Sequence, residues 1–174
     1  MDALGIQTQP TAFEIQGTVT GRQWGHTKPQ VELKLLNGQS LVPSYATPGS
    51  AAVDLTAHLS EPITLHPGDT HIMPTGISIH LNNPSLVAMI LPRSGLGFND
   101  GLVIGNLTGV IDSDYQGQLF AGLWNRGDKT ITVKPGQRVV QMVFVKCEQV
   151  EFQVVDEFGM GSQRGEGGFG HTGV

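Results

Sequence analysis

Ile131-Thr132-Val133-Lys134-Pro135-Gly136-Gln137-Arg138-Val139-Val140-Gln141-Met142-Val143-Phe144-Val145 reads as two short apolar runs parted by a Pro-Gly turn. Short runs of β-branched and aromatic residues punctuated by Pro and Gly suit strands better than helices. The same rhythm extends toward the amino terminus. Ile63-Thr64-Leu65 precedes Pro67-Gly68-Asp69, and Ile77-Ser78-Ile79-His80-Leu81 and Val87 to Leu91 flank an Asn-Pro turn. Val31-Glu32-Leu33-Lys34-Leu35 alternates apolar and charged residues at the period of a half-buried strand, and the folded body starts there. Many short strands separated by such turns predict an all-β protein, closed or double-sheeted, of the jelly-roll β-barrel kind. Few helices are expected. The one plausible helical turn, near Ser94-Gly95-Leu96-Gly97, is too short to count as an element.

Composition agrees with this reading. The 174 residues suit one domain. Gly (24) and Pro (10) are enriched, while 39% hydrophobic content still supplies a core. Three segments are expected: residues 1–30 as a polar leader, 31–158 as the β-barrel domain, and 159–174 as a Gly-rich flap that cannot pack by itself. A net charge of −5 with only ten Lys and Arg provides no basic stripe, which argues against a nucleic-acid partner. A small anion remains feasible if the cations are concentrated or a divalent metal contributes charge. Lone Cys147 excludes an intrachain disulfide and suggests a reducing compartment. No apolar run is long enough for a membrane span and no signal peptide is visible, so the protein is expected to be soluble and cytoplasmic.

Several constellations carry candidate chemistry. Pro92-Arg93-Ser94-Gly95-Leu96-Gly97 follows a strand-like run and sets a cation, a hydroxyl and backbone donors on one turn, an arrangement suited to phosphate oxygens. Gly109-Val110-Ile111-Asp112-Ser113-Asp114-Tyr115-Gln116-Gly117 holds two carboxylates, of which Asp112, following an apolar run, is expected to be the more buried. Either is a general-base candidate or a turn residue bonding its own backbone. Asp54 and Gln141 are further candidates, or ordinary polar strand residues. The six His show no metal-ligand spacing. In the tail, Arg164 offers a fork for phosphate, Phe169 a ring for a base, and the glycines close backbone approach. Gly165 to Thr172 has a phosphate-loop spacing with His171 in place of Lys, but no room remains after Thr172 for the helix such a loop must open.

These five segments, in this order, resemble the five motifs of the trimeric dUTP diphosphatase family over about residues 31–173, and Ser113-Asp114-Tyr115-Gln116-Gly117-Gln118 followed by Trp124-Asn125-Arg126-Gly127 resembles bacterial members. The resemblance implies a jelly roll assembled as a homotrimer, with active sites at subunit interfaces and the tail closing over a neighbour's site. It implies Mg²⁺-dependent hydrolysis of dUTP to dUMP and pyrophosphate, which keeps uracil out of DNA and supplies dUMP for thymidylate synthesis. Asp112 would activate the water that attacks the α-phosphorus, and Asn106 with the backbone around Val110 and Ile111 would read uracil. Tyr115 would lie beneath the deoxyribose and exclude a 2′-hydroxyl. Arg93, Ser94 and Gly95 would hold the phosphate chain, while Asp54 and Gln141 would hold waters of the Mg²⁺ shell or phosphate oxygens. The tail would bring Arg164 to the γ-phosphate, Phe169 to the uracil face and Thr172 as a further phosphate donor.

Two positions depart from the family pattern. Ala52 replaces the usual Gly before the hydrophobic-Asp-Leu of the first motif, and Phe120 stands where Met or a small residue is common, which puts its substrate contact in question. A dCTP deaminase shares the expected fold, but its catalytic Glu two residues before the aromatic-Asn pair corresponds here to Gly122, before Trp124-Asn125. A catalytically silent nucleotide-binding module is the alternative of another class.

Overall fold

The computed structural model describes residues 28–36 and 41–168, so nearly all of the expected leader falls outside it. Among these residues ten strands form: β1 (Glu32–Leu35), β2 (Ala52–Thr56), β3 (Ile63–Leu65), β4 (Thr70–His80), β5 (Leu86–Pro92), β6 (Leu102–Ile104), β7 (Gly109–Ile111), β8 (Gln118–Asn125), β9 (Ile131–Val133) and β10 (Arg138–Lys146). One four-stranded sheet has the order β1-β4-β8-β6, a second β2-β10-β5-β7, and β3 pairs with β9 in a small ribbon. All pairings are antiparallel. The all-β expectation is met. No helix among the described residues is long and apolar enough to cross a membrane.

The core lies between the two larger sheets. Val53 and Leu55 of β2, Ala88 and Ile90 of β5, and Val140 and Met142 of β10 pack in one cluster with Met73, Ile77 and Ile79 of β4 and Leu119, Ala121 and Leu123 of β8. Strand alternation sends every second residue of β8 inward, leaving Gln118, Phe120, Gly122 and Trp124 on its outer face. That outer face becomes one wall of the site.

Where strands were hidden in the sequence, local breakers hid them. β4 begins at Thr70, well before the alternation at Ile77, because Pro74 and Gly76 interrupt the pattern. The register against β8 shifts between Pro74 and Ser78, and Gly76 takes φ 74°, so the sheet absorbs both residues in a bulge. Ala52 opens β2 opposite Val143, where its Cβ is accommodated without breaking the strand.

The helical turn near Ser94 grows into a six-residue π-helical element, Gly95–Asp100, longer than the sequence suggested. It is closed by Gly101 at φ 77°, whose N–H donates to the Leu96 carbonyl. A Cβ on Gly101 would stand 2.6 Å from the Gly127 nitrogen, so only glycine permits this approach of two loops. The facing loop is organised by fully buried Asn125, whose Nδ2 donates to the carbonyls of Leu65 (3.0 Å) and Lys129 (2.8 Å) while its Oδ1 accepts from the Gly127 N–H.

Candidate active site

Three of the sequence-predicted segments meet at one end of the second sheet. Gln141 of β10 lies opposite Asp54 of β2 on one side and Leu91 of β5 on the other. Arg93 follows directly on β5. Its Nε donates to Asp54 Oδ1 at 2.8 Å, and its Nη1 donates to the Arg138 carbonyl at 3.3 Å. Arg138 Nη1 donates to the other carboxylate oxygen, Asp54 Oδ2, at 3.0 Å. Gln141 Nε2 donates to the Pro92 carbonyl at 2.9 Å, tying the residue before Arg93 to the neighbouring strand. Ser94 and Gly95 begin the π-helical turn next to this cluster.

Arg138 was not singled out from the sequence. It stands three residues before Gln141, and odd spacing on a regular strand sends two side chains to opposite faces. The structure reverses that with a one-residue register shift between Arg138 and Val140, which buries both Val139 and Val140 and restores Arg138 to the face of Asp54 and Gln141. An unbroken Val-Val pair flanked by polar residues is the signal that could have revealed it.

The hairpin residues gather elsewhere. Val110, Ile111, Asp112, Tyr115, Leu119 and Phe120 line a cleft of about 220 Å³. The Tyr115 hydroxyl donates to the Gln118 carbonyl at 2.9 Å, and its ring lies across Gly117, where any Cβ would collide with it. Phe120 is half exposed and faces the same cleft, so the doubtful position borders the site. The expectation that Asp112 is the buried carboxylate is incorrect for this chain: Asp112 and Asp114 are both exposed, because edge strand β7 ends at Ile111 and a turn begins at Asp112. Asn106 lines an adjacent cleft of about 410 Å³ with Ile72 and Gly122, farther along the outer face of β8. Gly122 has open space around it and carries no carboxylate.

Arg93 and Asp112 are far apart within one chain. The β5–β7 register pairs Ala88 with Ile111, which sets Asp112 level with Val87, six residues from Arg93 along β5. At the rise of an extended chain that is about 20 Å. Arg164 is not brought to either cluster; it sits in an exposed turn with its Nε donating to the Gly167 carbonyl at 2.8 Å. Phe169 and Thr172 lie outside the described residues.

The dUTPase family matches residues 39–173. This chain belongs to the dUTPase family. It is 55% identical over 148 residues to the deoxyuridine 5'-triphosphate nucleotidohydrolase of Aeromonas salmonicida, an alignment covering 83% of this chain and 97% of that one. To the protein of the same name from Escherichia coli it is 56% identical over 132 residues, 76% of this chain and 87% of that one. Among solved structures, the Staphylococcus bacteriophage 80alpha dUTPase with dUPNHPP matches with a TM-score of 0.76 and 25% identity, over 84% of this chain and all of that one. A mutant dUTPase from phage phi11 of S. aureus, described for the coordination of a structural Mg(II) ion, shares the fold with a TM-score of 0.68 and 21% identity, over 75% of this chain and 99% of that one.

The fit of this dUTPase chain to a divalent metal can be judged from its donors. No group of three or more His, Cys, Asp or Glu among the described residues could form a cage. Mg²⁺ commonly keeps waters and substrate phosphates as ligands and needs no such cage. Asp54, expected in its water shell, has both oxygens engaged by arginines.

Proposed function

We infer that this chain hydrolyses dUTP to dUMP and pyrophosphate in a Mg²⁺-dependent reaction, as a cytoplasmic homotrimer whose active sites are shared between copies. The observation carrying this reading is the exposed Asp112 carboxylate on the rim of the cleft formed by Val110, Ile111 and Tyr115, in a chain more than half identical to nucleotidohydrolases of dUTP. A carboxylate there can take a proton from a water molecule aimed at the α-phosphorus. The hairpin backbone around Val110 and Ile111, with the Asn106 amide, discriminates uracil from cytosine, since a mismatched donor would leave buried polar groups unpaired at about 1–3 kcal/mol each. Tyr115, fixed by its bond to the Gln118 carbonyl, fills the space a 2′-hydroxyl would need.

The phosphate chain falls to Arg93, Ser94, Gly95 and Gln141. The separation of about 20 Å between Arg93 and the level of Asp112 supports their coming from different copies, because one triphosphate cannot span both ends of β5 while reacting at its innermost phosphorus. Arg164, Phe169 and Thr172 of the tail complete the enclosure, a closure that excludes water other than the nucleophile. The chemistry supplied by Mg²⁺ on the phosphates is neutralisation of the charge that develops on the leaving pyrophosphate. Removal of dUTP keeps uracil out of DNA, and the dUMP formed feeds thymidylate synthesis.

Purified chain is incubated with Mg²⁺ and each of dUTP, dCTP, dTTP and UTP, and pyrophosphate and ammonia are measured. Pyrophosphate from dUTP, with little from the other three, is the expected result. Ammonia from dCTP would reveal a deaminase, and binding without release would reveal a silent module; either result overturns the proposal.

A further inference from the structure

We propose that Asp54 and Arg138 are positioning residues that hold the Arg93 guanidinium toward the phosphate chain, a role that does not depend on Mg²⁺. This rests on the dUTP-hydrolysing reading above. Each oxygen of Asp54 accepts from a different arginine, Arg93 Nε at 2.8 Å and Arg138 Nη1 at 3.0 Å. The Asp54 and Arg93 side chains are only about a quarter to a third exposed, so their contact is partly shielded from competing water, whereas Arg138 is 60% exposed.

Charge decides what this triad attracts. Two guanidinium groups and one carboxylate leave one net positive charge, which disfavours a bare divalent cation. An anion meets the opposite situation. A guanidinium has five N–H donors in a planar fork. Arg93 commits Nε to Asp54 and one Nη1 proton to the Arg138 carbonyl, and no described residue accepts from its Nη2. The face left over can grip a phosphate oxygen pair. Arg138 acts twice on this group, through its own carbonyl and through the carboxylate it shares.

The backbone is arranged for this purpose. The register shift between Arg138 and Val140 is what turns Arg138 to the face of Asp54, and the Gln141 bond to the Pro92 carbonyl anchors the residue from which Arg93 springs.

The test is binding of a dUTP analogue with an imido link between the α- and β-phosphates, measured by calorimetry in EDTA and again in Mg²⁺, for wild-type, Asp54→Asn, Arg138→Gln and Arg138→Lys chains. Asp54→Asn and Arg138→Gln should each lose roughly tenfold in affinity with or without metal, the scale of one charge-assisted contact. KM should rise more than kcat falls, and Arg138→Lys should recover part of the loss. An Asp54→Asn chain that binds the analogue normally in EDTA overturns the proposal. Should Asp54→Asn not fold, normal analogue affinity in Arg138→Gln overturns it equally. Failure of the wild-type chain to hydrolyse dUTP would instead bring down the underlying reading of function.

Discussion

If Asp112 and Arg93 act on one substrate from different copies, two inactive variants should repair each other. Asp112→Asn removes the proposed base and Arg93→Ala the phosphate fork, and each alone should retain under about 1% of turnover, the scale of losing one transition-state group. Within a chain the two positions lie about 20 Å apart along β5, too far for a single copy to use both. When the variants are unfolded together in equal amounts and reassembled, a site is intact only where its Asp112 comes from an Arg93→Ala chain and its Arg93 from an Asp112→Asn chain. Each condition holds for half of the chains. Random mixing therefore regenerates about one quarter of the wild-type sites, whereas sites built within a single chain regenerate none. Pyrophosphate release from dUTP, normalised to oligomers whose mixed composition is established by native mass spectrometry, reads the outcome. Mixed oligomers as inactive as either parent would refute the shared-site reasoning.

Asp112→Asn alone should lower kcat at least a hundredfold while changing affinity for the imido analogue by less than about threefold, since it removes a proton acceptor and keeps the shape; near-normal kcat in stopped-flow turnover would remove Asp112 from the base role. Deleting residues 159–174 should cripple turnover yet leave the melting temperature close to that of the full chain, because the last strand ends at Lys146 and the described residues beyond Phe158 are almost all exposed. A fully active truncation would contradict the closing role of the tail. Asn125→Leu should destabilise the chain by about 3 kcal/mol, because it leaves two carbonyls and the Gly127 N–H without their partner. Denaturant unfolding tests this, and a change below about 1 kcal/mol would show that water replaces the amide.

Much of this was legible before any coordinates. The strands at β1, β3, β5, β9 and β10 announce themselves through short apolar runs bounded by Pro-Gly, Asn-Pro and similar turns, because those residues set or release φ at defined points. β6, β7 and β8 were obscured by short length and by Gly122, and the first half of β4 by Pro74 and Gly76, whose effects are absorbed by a bulge that depends on the partner strand. Among site residues, Arg93, Asp54 and Gln141 were visible as polar residues in suggestive company. Their meeting was not, because the contact joins positions 39 and 84 residues apart.

The strand-and-turn rhythm and the all-β class were readable from the chain alone, since they follow from local propensity, and the order of its motifs carried the resemblance to the dUTPase family. Long-range packing sets where the two runs flanking Pro135-Gly136 go, β9 joining β3 and β10 entering between β2 and β5. It alone turned Arg138 onto the face of Asp54 and left Asp112 exposed at the far end of β5. Strand register is fixed by which faces can be buried together, and a one-residue shift reverses the direction of every side chain beyond it.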